Sequence, residues 1–211
     1  MITLWGFRFS VYVRIVRMAL AERGLTYDTV ETSPFDLDQH NPHPFGRVPM
    51  FQHGTLKLYE TAAITTYISA AFEGETWEPA DPAALAQVEQ VISIIDNYAY
   101  WPMVRQVYSN AVFQPAMGEE IDRASLETGL KKSGPVLDEL EKIAAQGRVL
   151  GKEMTRADLH LAPMLAYFSR AAEGEQMLAT RPNLARWFSR IQRRESFMET
   201  EPGLPNKPGP V

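Results

Sequence analysis

Apolar positions along this chain change their spacing several times, and each change marks an element. Ile2 to Phe7 is a short β-rich run. From Val11 the spacing lengthens, with Val11, Ile15, Met18 and Ala19 on one helical face until Gly24, which is suited to end a helix. Leu25 to Glu31 reads as a second strand and completes a βαβ unit. Val48–Gln52 and Leu56–Tyr59 then flank His53-Gly54, a hairpin-turn signal. Thr61 to Phe72 returns to helical spacing through Ile64, Ile68 and Phe72. The order β-α-β followed by β-β-α predicts a compact α/β domain over residues 1–76.

Gly74, Pro79 and Pro82 break the pattern, so residues 77–84 read as a linker. Beyond them the periodicity is helical over roughly 83–113, 118–145, 156–171 and 182–195, an all-α domain over 85–198. Pro102 and Pro135 fall inside two of these helices and are expected to kink or divide them. Residues 199–211 are rich in Pro and Gly and read as a tail outside the packed fold.

Composition narrows the chemistry. The formal charge of −5 argues against a nucleic-acid surface and gives no reason to expect binding to an anionic membrane. The chain contains no cysteine, which excludes disulfides, thiolate metal sites and a protein-derived thiol nucleophile. Arg8, Arg14 and Arg17 interrupt the apolar positions of the N-terminus, so it does not resemble a signal peptide, and no apolar run reaches transmembrane length. A soluble, cytoplasmic protein is expected.

Two short segments carry candidate chemistry. Phe45-Gly46-Arg47-Val48-Pro49-Met50 is a loop entering a strand with proline at its start, where a proline donates no ladder bond. Unpaired backbone groups at Val48 would suit an extended peptide, although an isolated Val-Pro is more often an ordinary turn. Tyr59-Glu60-Thr61-Ala62-Ala63-Ile64 runs from a strand straight into a helix. Thr61 as N-cap, the first helical amides and the Glu60 carboxylate would together receive a zwitterionic amino-acid end. Taken alone, the same segment is more often simply a capped helix.

Together, Pro-Phe-Gly-Arg-Val-Pro, a hairpin, then Glu-Thr-x-Ala-Ile-x-x-Tyr-Ile resembles the glutathione-binding half of the cytosolic glutathione S-transferase family, in its serine-type (theta, phi or zeta-like) branch. The resemblance implies an α/β thioredoxin-like N-terminal domain followed by an all-α helical C-terminal domain. It implies that Val48 pairs its backbone with the cysteinyl part of glutathione before a cis Pro49. Glu60 and Thr61 would hold the γ-glutamyl end, and Arg47 would lie near the glycyl carboxylate. Thr61 stands in place of the usual serine, and His43-Pro44 in place of the common Asn-Pro. Glutathione would be the cosubstrate, with no metal, and a homodimer is implied.

Glutathione brings its own nucleophile, so the protein need only stabilise its thiolate. By the same resemblance Ser10, in the loop after the first strand, is the candidate catalytic hydroxyl, with Tyr12 as rival. Read on its own, Ser10 is equally the N-cap of the first helix. The implied reaction is attack on a hydrophobic electrophile or reduction of a hydroperoxide, the alternative being a non-catalytic binding member of the same fold. Tyr98, Trp101 and Tyr108 are candidates for the electrophile pocket. Thr155-Arg156-Ala157-Asp158 reads as a capping box, and His40-x-x-His43 reads as a solvated loop rather than a metal site. His160 reads as a packed or half-exposed helix residue.

Overall fold

The computed structural model describes residues 1–36 and 40–205. The chain divides into two compact units: Met1–Thr76 joined by Glu195–Pro202, and Trp77–Arg194 with residues 203–205.

The first unit is built on a four-stranded sheet. Its elements are β1 (Ile2–Gly6), α1 (Val11–Glu22), β2 (Asp28–Glu31), β3 (Met50–His53), β4 (Leu56–Tyr59) and α2 (Thr61–Ala71). Strand order is β2-β1-β3-β4, with β1 parallel to β2 and antiparallel to β3, and β3 antiparallel to β4. The parallel β1–β2 pair needs a crossover connection, which α1 supplies. Ile2, Leu4 and Gly6 are buried on one face of β1 while Thr3 and Trp5 are half-buried on the other. On that inner side α1 packs against α2. Gly6 is buried against Val13: a Cβ there would lie 2.6 Å from a Val13 methyl. α1 ends in a Schellman arrangement, the Leu25 N–H donating to Leu20 O and Gly24, at φ 61°, donating to Ala21 O. The hairpin turn is Gly54-Thr55, one residue later than the sequence pattern indicates, because His53 pairs with Leu56 across β3 and β4.

The tail expectation is corrected for residues 199–205. α9 (Glu195–Glu199) packs on α1 in the first unit. There the buried Arg14 donates to Phe197 O at 3.0 Å and pairs with Glu201 at 2.8 Å, its guanidinium lying 4.5 Å from the Phe197 ring centroid. Pro202 is buried, and in the second unit Gly203 O accepts a bond from Arg170. Local composition signalled a loose end, but one buried guanidinium collects the segment. The remainder of the expected tail, from residue 206, lies outside the described residues.

In the second unit α3 (Pro82–Ile94) runs without interruption into a π-helix over Ile95–Phe113 and then α4 (Gln114–Met117). The wider turn is visible in the Gln114 N–H, which donates to Ser109 O five residues back. Buried Ile95, Ala99, Met103 and Val107 accordingly recur every fourth residue. Pro102 does not divide this helix, and Pro135 does not divide α5 (Arg123–Gln146). Packing between the two helices outweighs the missing N–H at each proline. At their crossing Gly129 lies so close that a Cβ would sit 2.6 Å from Gln106 Cβ and 2.9 Å from Pro102 O.

The centre of this unit is α6 (Arg156–Phe168), in which every residue is buried. Its start is the expected capping box. Asp158 accepts from the Thr155 N–H at 2.8 Å, the Thr155 hydroxyl at 2.7 Å and Trp187 Nε1 at 2.6 Å. Arg156 pairs with Glu78 and Glu89. His160 is wholly buried rather than half-exposed. α7 (Ala172–Ala179) and α8 (Pro182–Ile191) complete the unit.

Candidate active site

Sheet register brings the sequence-predicted residues to one end of the first unit. Trp5 near the end of β1 pairs with Met50 at the start of β3, and Met50 pairs with Tyr59 at the end of β4. The segments that leave β1, enter β3 and leave β4 therefore emerge side by side. They carry Ser10, Arg47-Val48-Pro49 and Glu60-Thr61 respectively.

The loop entering β3 is shaped by its own polar groups. Asn41 Oδ1 accepts from the His43 N–H at 2.9 Å, and Asn41 Nδ2 donates to Arg47 O at 3.2 Å. His43 Nδ1 accepts from the Phe45 N–H at 3.1 Å, and the Gly46 N–H, at φ 63°, donates to His43 O at 3.0 Å. The Val48–Pro49 bond is cis, as the resemblance implies. Among the described residues the Val48 backbone makes no hydrogen bond. It is a half-buried edge with its polar groups available, while Pro49 is buried behind it.

At the end of β4 a single residue, Glu60, turns the chain into α2. It does so at φ 67° and ψ 115°, outside the comfortable regions for a residue with a side chain. Its carbonyl accepts from the Ile64 N–H at 3.0 Å, so Glu60 and not Thr61 is the N-cap, and its side chain makes no cap bond. Thr61 is the first helical residue and is buried. Glu60 is exposed, Thr61 follows it directly in the chain, and the first turn of α2 holds no acidic residue. The N-terminal amides of α2 thus keep their positive end unneutralised. The arrangement suits a ligand bearing an ammonium for Glu60 and a carboxylate for the helix start.

Aromatic contacts tie the loop to this corner. The His43 ring centroid lies 5.2 Å from that of Tyr59 and 5.9 Å from that of Phe45, and Phe45 lies 5.9 Å from Tyr59. His43 is only 5% exposed, which corrects the expectation of a solvated loop histidine. Burial holds its pKa below the ordinary 6.5, with Arg47 acting in the same direction and Glu60 opposing. Sequence spacing carried no sign of this role, because the partner of the ring is a backbone N–H two residues on.

Ser10 is the N-cap of α1. Its Oγ accepts from the Val13 N–H at 3.4 Å and its own N–H donates to Phe7 O at 2.9 Å. A serine hydroxyl has one proton and two lone pairs, so capping leaves the proton available to a ligand. Capping a helix and donating to a thiolate are compatible roles for this residue. Tyr12 is half-buried in the first turn of α1. Around Ser10 stands an aromatic group that sequence reasoning missed: Phe7 meets Phe9 and Phe35 edge-on at 5.6 and 6.0 Å, and Phe35 is 64% exposed. The Phe7-Arg8-Phe9 run was the available signal, but only the fold adds Phe35.

The proposed electrophile residues are not brought together. Tyr98 and Trp101 are 64% and 60% exposed on the second unit, whereas Tyr108 is buried in its core, 4.6 Å from the Tyr167 ring. The three-residue wall is therefore corrected, because the wide π-helical turn carries Tyr108 onto the packed face. A separate cavity of about 380 Å³ in the first unit touches Arg8, Arg17, Glu31 and Glu199 but none of the residues at the corner described above. Among the described residues no cluster of His, Asp or Glu could hold a metal ion.

Comparison with known proteins bears on this geometry. Residues 4–76 match the family model of the glutathione S-transferase N-terminal domain, and residues 100–195 that of its C-terminal domain. Glutathione S-transferase F13 of Arabidopsis thaliana is 28% identical over 209 residues, covering 95% of each chain. A glutathione S-transferase of Hyoscyamus muticus is 30% identical over 202 residues, covering 92% of this chain and 94% of its own. The apo structure of glutathione S-transferase III superposes with a TM-score of 0.83 at 28% identity, covering 99% of both chains.

Proposed function

The chain belongs to the glutathione S-transferase family, and from that premise we propose that the corner formed by Val48, Glu60 and Thr61 receives glutathione and that Ser10 activates its thiol. The chain is a transferase with glutathione as its cosubstrate. One observation supports the site assignment above the others: three segments distant in sequence emerge at adjacent strand ends, each bearing a group that one part of the tripeptide requires.

In this reading the Val48 backbone pairs with the cysteinyl residue as a short added strand. Glu60 takes the γ-glutamyl ammonium, and the Thr61 hydroxyl with the first α2 amides takes its carboxylate. Arg47, exposed on the same loop, faces the glycyl carboxylate. The Ser10 O–H donates to the thiolate sulfur. A free thiol of pKa about 8.5 is only a few per cent ionised at neutral pH. A hydrogen bond to the charged form is worth about 1.5–3 kcal/mol, or about one to two pKa units. The thiol proton passes to water. The sulfur lone pair forms a carbon–sulfur bond to the electrophile, and the leaving group departs with the electrons of the broken bond.

We take the first unit as the glutathione domain and the helical unit as the source of acceptor contacts, with Tyr98 and Trp101 as its exposed aromatic candidates. Phe45, 68% exposed beside Tyr59, is apolar surface consistent with a homodimer. No helix among the described residues is long and apolar enough to cross a membrane, and together with the absence of cysteine this fits a cytoplasmic enzyme. The test is turnover of glutathione with a chloronitrobenzene and with an organic hydroperoxide. Conjugation or peroxide reduction is expected. Retention on immobilised glutathione without turnover of any electrophile would contradict the proposed activation by Ser10.

A further inference from the structure

His43 occupies a position whose chemistry is unusual for a loop histidine. Its Nδ1 accepts the backbone N–H of Phe45 at 3.1 Å, two residues on. That is the bond an Asn or Asp side chain makes in an Asx turn, the common way for a short side chain to hold a tight turn. The resemblance noted above places Asn-Pro where this chain has His43-Pro44. An asparagine carbonyl accepts at every pH, whereas an imidazole nitrogen accepts only while it is unprotonated.

The bond sits at the junction of the two pieces that would hold glutathione. The carbonyl of His43 accepts the Gly46 N–H at 3.0 Å, and its own N–H donates to Asn41, whose amide in turn donates to Arg47 O at 3.2 Å. Its ring lies against Tyr59, the residue before Glu60, at a centroid distance of 5.2 Å. The ring therefore braces the Arg47-Val48 edge against the Glu60-Thr61 helix start.

We propose that His43 is a positioning residue for glutathione: its neutral imidazole holds the loop bearing Arg47 and Val48 in the receptive conformation, and its protonation releases that loop. The proposal rests on the assignment of Arg47, Val48, Glu60 and Thr61 as the glutathione receptor. Protonation would set an Nδ1–H against the Phe45 N–H, so that the bond is lost and two donors face each other in a buried place. The charged groups bearing on the ring are Arg47 on its own loop, which opposes protonation, and Glu60 at the β4–α2 corner, which favours it. Tyr59, the other packed element, meets the ring through its aromatic face. Burial adds to the effect of Arg47, so the transition falls below pH 6.5.

The experiment is calorimetric titration with S-methylglutathione, which has no thiol to ionise, at about pH 7.5 and about pH 5, on either side of an ordinary histidine pKa. Wild type, His43→Asn and His43→Ala are compared. Wild-type affinity is expected to fall at least about 2-fold at the lower pH, and an unchanged affinity there would overturn the proposal. His43→Asn, which keeps an acceptor but cannot titrate, should bind like wild type at the higher pH and hold that affinity at the lower. His43→Ala should bind about 5- to 10-fold more weakly at both. If His43→Asn lost affinity on acidification as wild type does, the titrating group would be elsewhere and the proposal overturned. Equal binding by His43→Ala and wild type would overturn it too. Failure of wild type to bind S-methylglutathione at the higher pH would instead remove the receptor assignment, and this proposal with it.

Discussion

Glu60 is a residue whose backbone is strained and whose side chain contributes no bond to the α2 cap. A non-glycine residue held outside the favoured regions costs about 1–3 kcal/mol, and such residues persist where function requires the side chain. Replacing Glu60 by glycine relieves the part of that strain that comes from its Cβ. It also makes the unfolded chain more flexible, which costs about 0.4–1 kcal/mol. The net expectation for Glu60→Gly is a gain of about 0–2 kcal/mol, or a rise of up to about 8 °C in Tm for a chain of this size. Glu60→Ala keeps the strain and should change stability by less than about 0.5 kcal/mol, as exposed substitutions do. Binding should move the opposite way. Each variant loses a charge-assisted bond to the ligand ammonium, worth about 1.5–3 kcal/mol, and should bind S-methylglutathione about 10- to 150-fold more weakly. Thermal unfolding and calorimetric titration on the same preparations measure both quantities. A Glu60→Gly variant less stable than Glu60→Ala would refute the strain argument, and one that bound within about twofold of wild type would refute the role of the carboxylate.

Other outcomes concern the helical unit. Asp158→Ala removes the cap of α6 and leaves the Thr155 and Trp187 N–H groups without their acceptor, so it should cost about 3–5 kcal/mol in denaturant unfolding; Asp158→Asn, which must turn an amide N–H₂ towards one of those donors, should cost about 1–3. His160 is fully buried, and burial followed by Arg156 lowers its pKa from 6.5 to about 3. The unfolded chain therefore takes the proton first: the contribution of this histidine is complete above pH 6.5 and is lost as pH falls towards 3. Wild type should lose about 2 kcal/mol more than His160→Gln on going from neutral pH to about pH 5. Gly129→Ala places a Cβ 2.6 Å from Gln106 and should cost about 1–3 kcal/mol through overpacking at the α5–π-helix crossing, read as a lowered denaturant midpoint at unchanged slope.

The features legible in the sequence were those set by short-range physics. Apolar spacing located β1, β3, α1 and α2 because each buries apolar residues in the first unit. Thr155 and Asp158 announced their cap because both partners lie within one turn. What escaped the sequence was decided by distant contacts. Pro102 and Pro135 look like breaks, yet the helices that contain them pack along their length and continue. Tyr108 falls inward because the turn widens there, which no propensity signals. Arg14 gathers Phe197 and Glu201 from a part of the chain distant in sequence, so residues near 201 pack in the first unit. At the candidate site, Val48, Glu60 and Thr61 could be named from their local pattern. His43 could not, since a histidine followed by proline gives no hint that its ring will be buried against Tyr59.

The central claim is that Ser10 lowers the pKa of bound glutathione, and the ultraviolet absorbance of the thiolate tests it most directly. The protein has no cysteine, so any thiolate band in the complex belongs to the ligand. Titrated with pH, glutathione bound to wild type should ionise about one to two units below the free thiol. Glutathione bound to Ser10→Ala should ionise near the free value while still binding through Val48, Glu60 and Thr61. The same low pKa in both proteins would contradict the account and move the activating group elsewhere, with Tyr12 the next residue to replace.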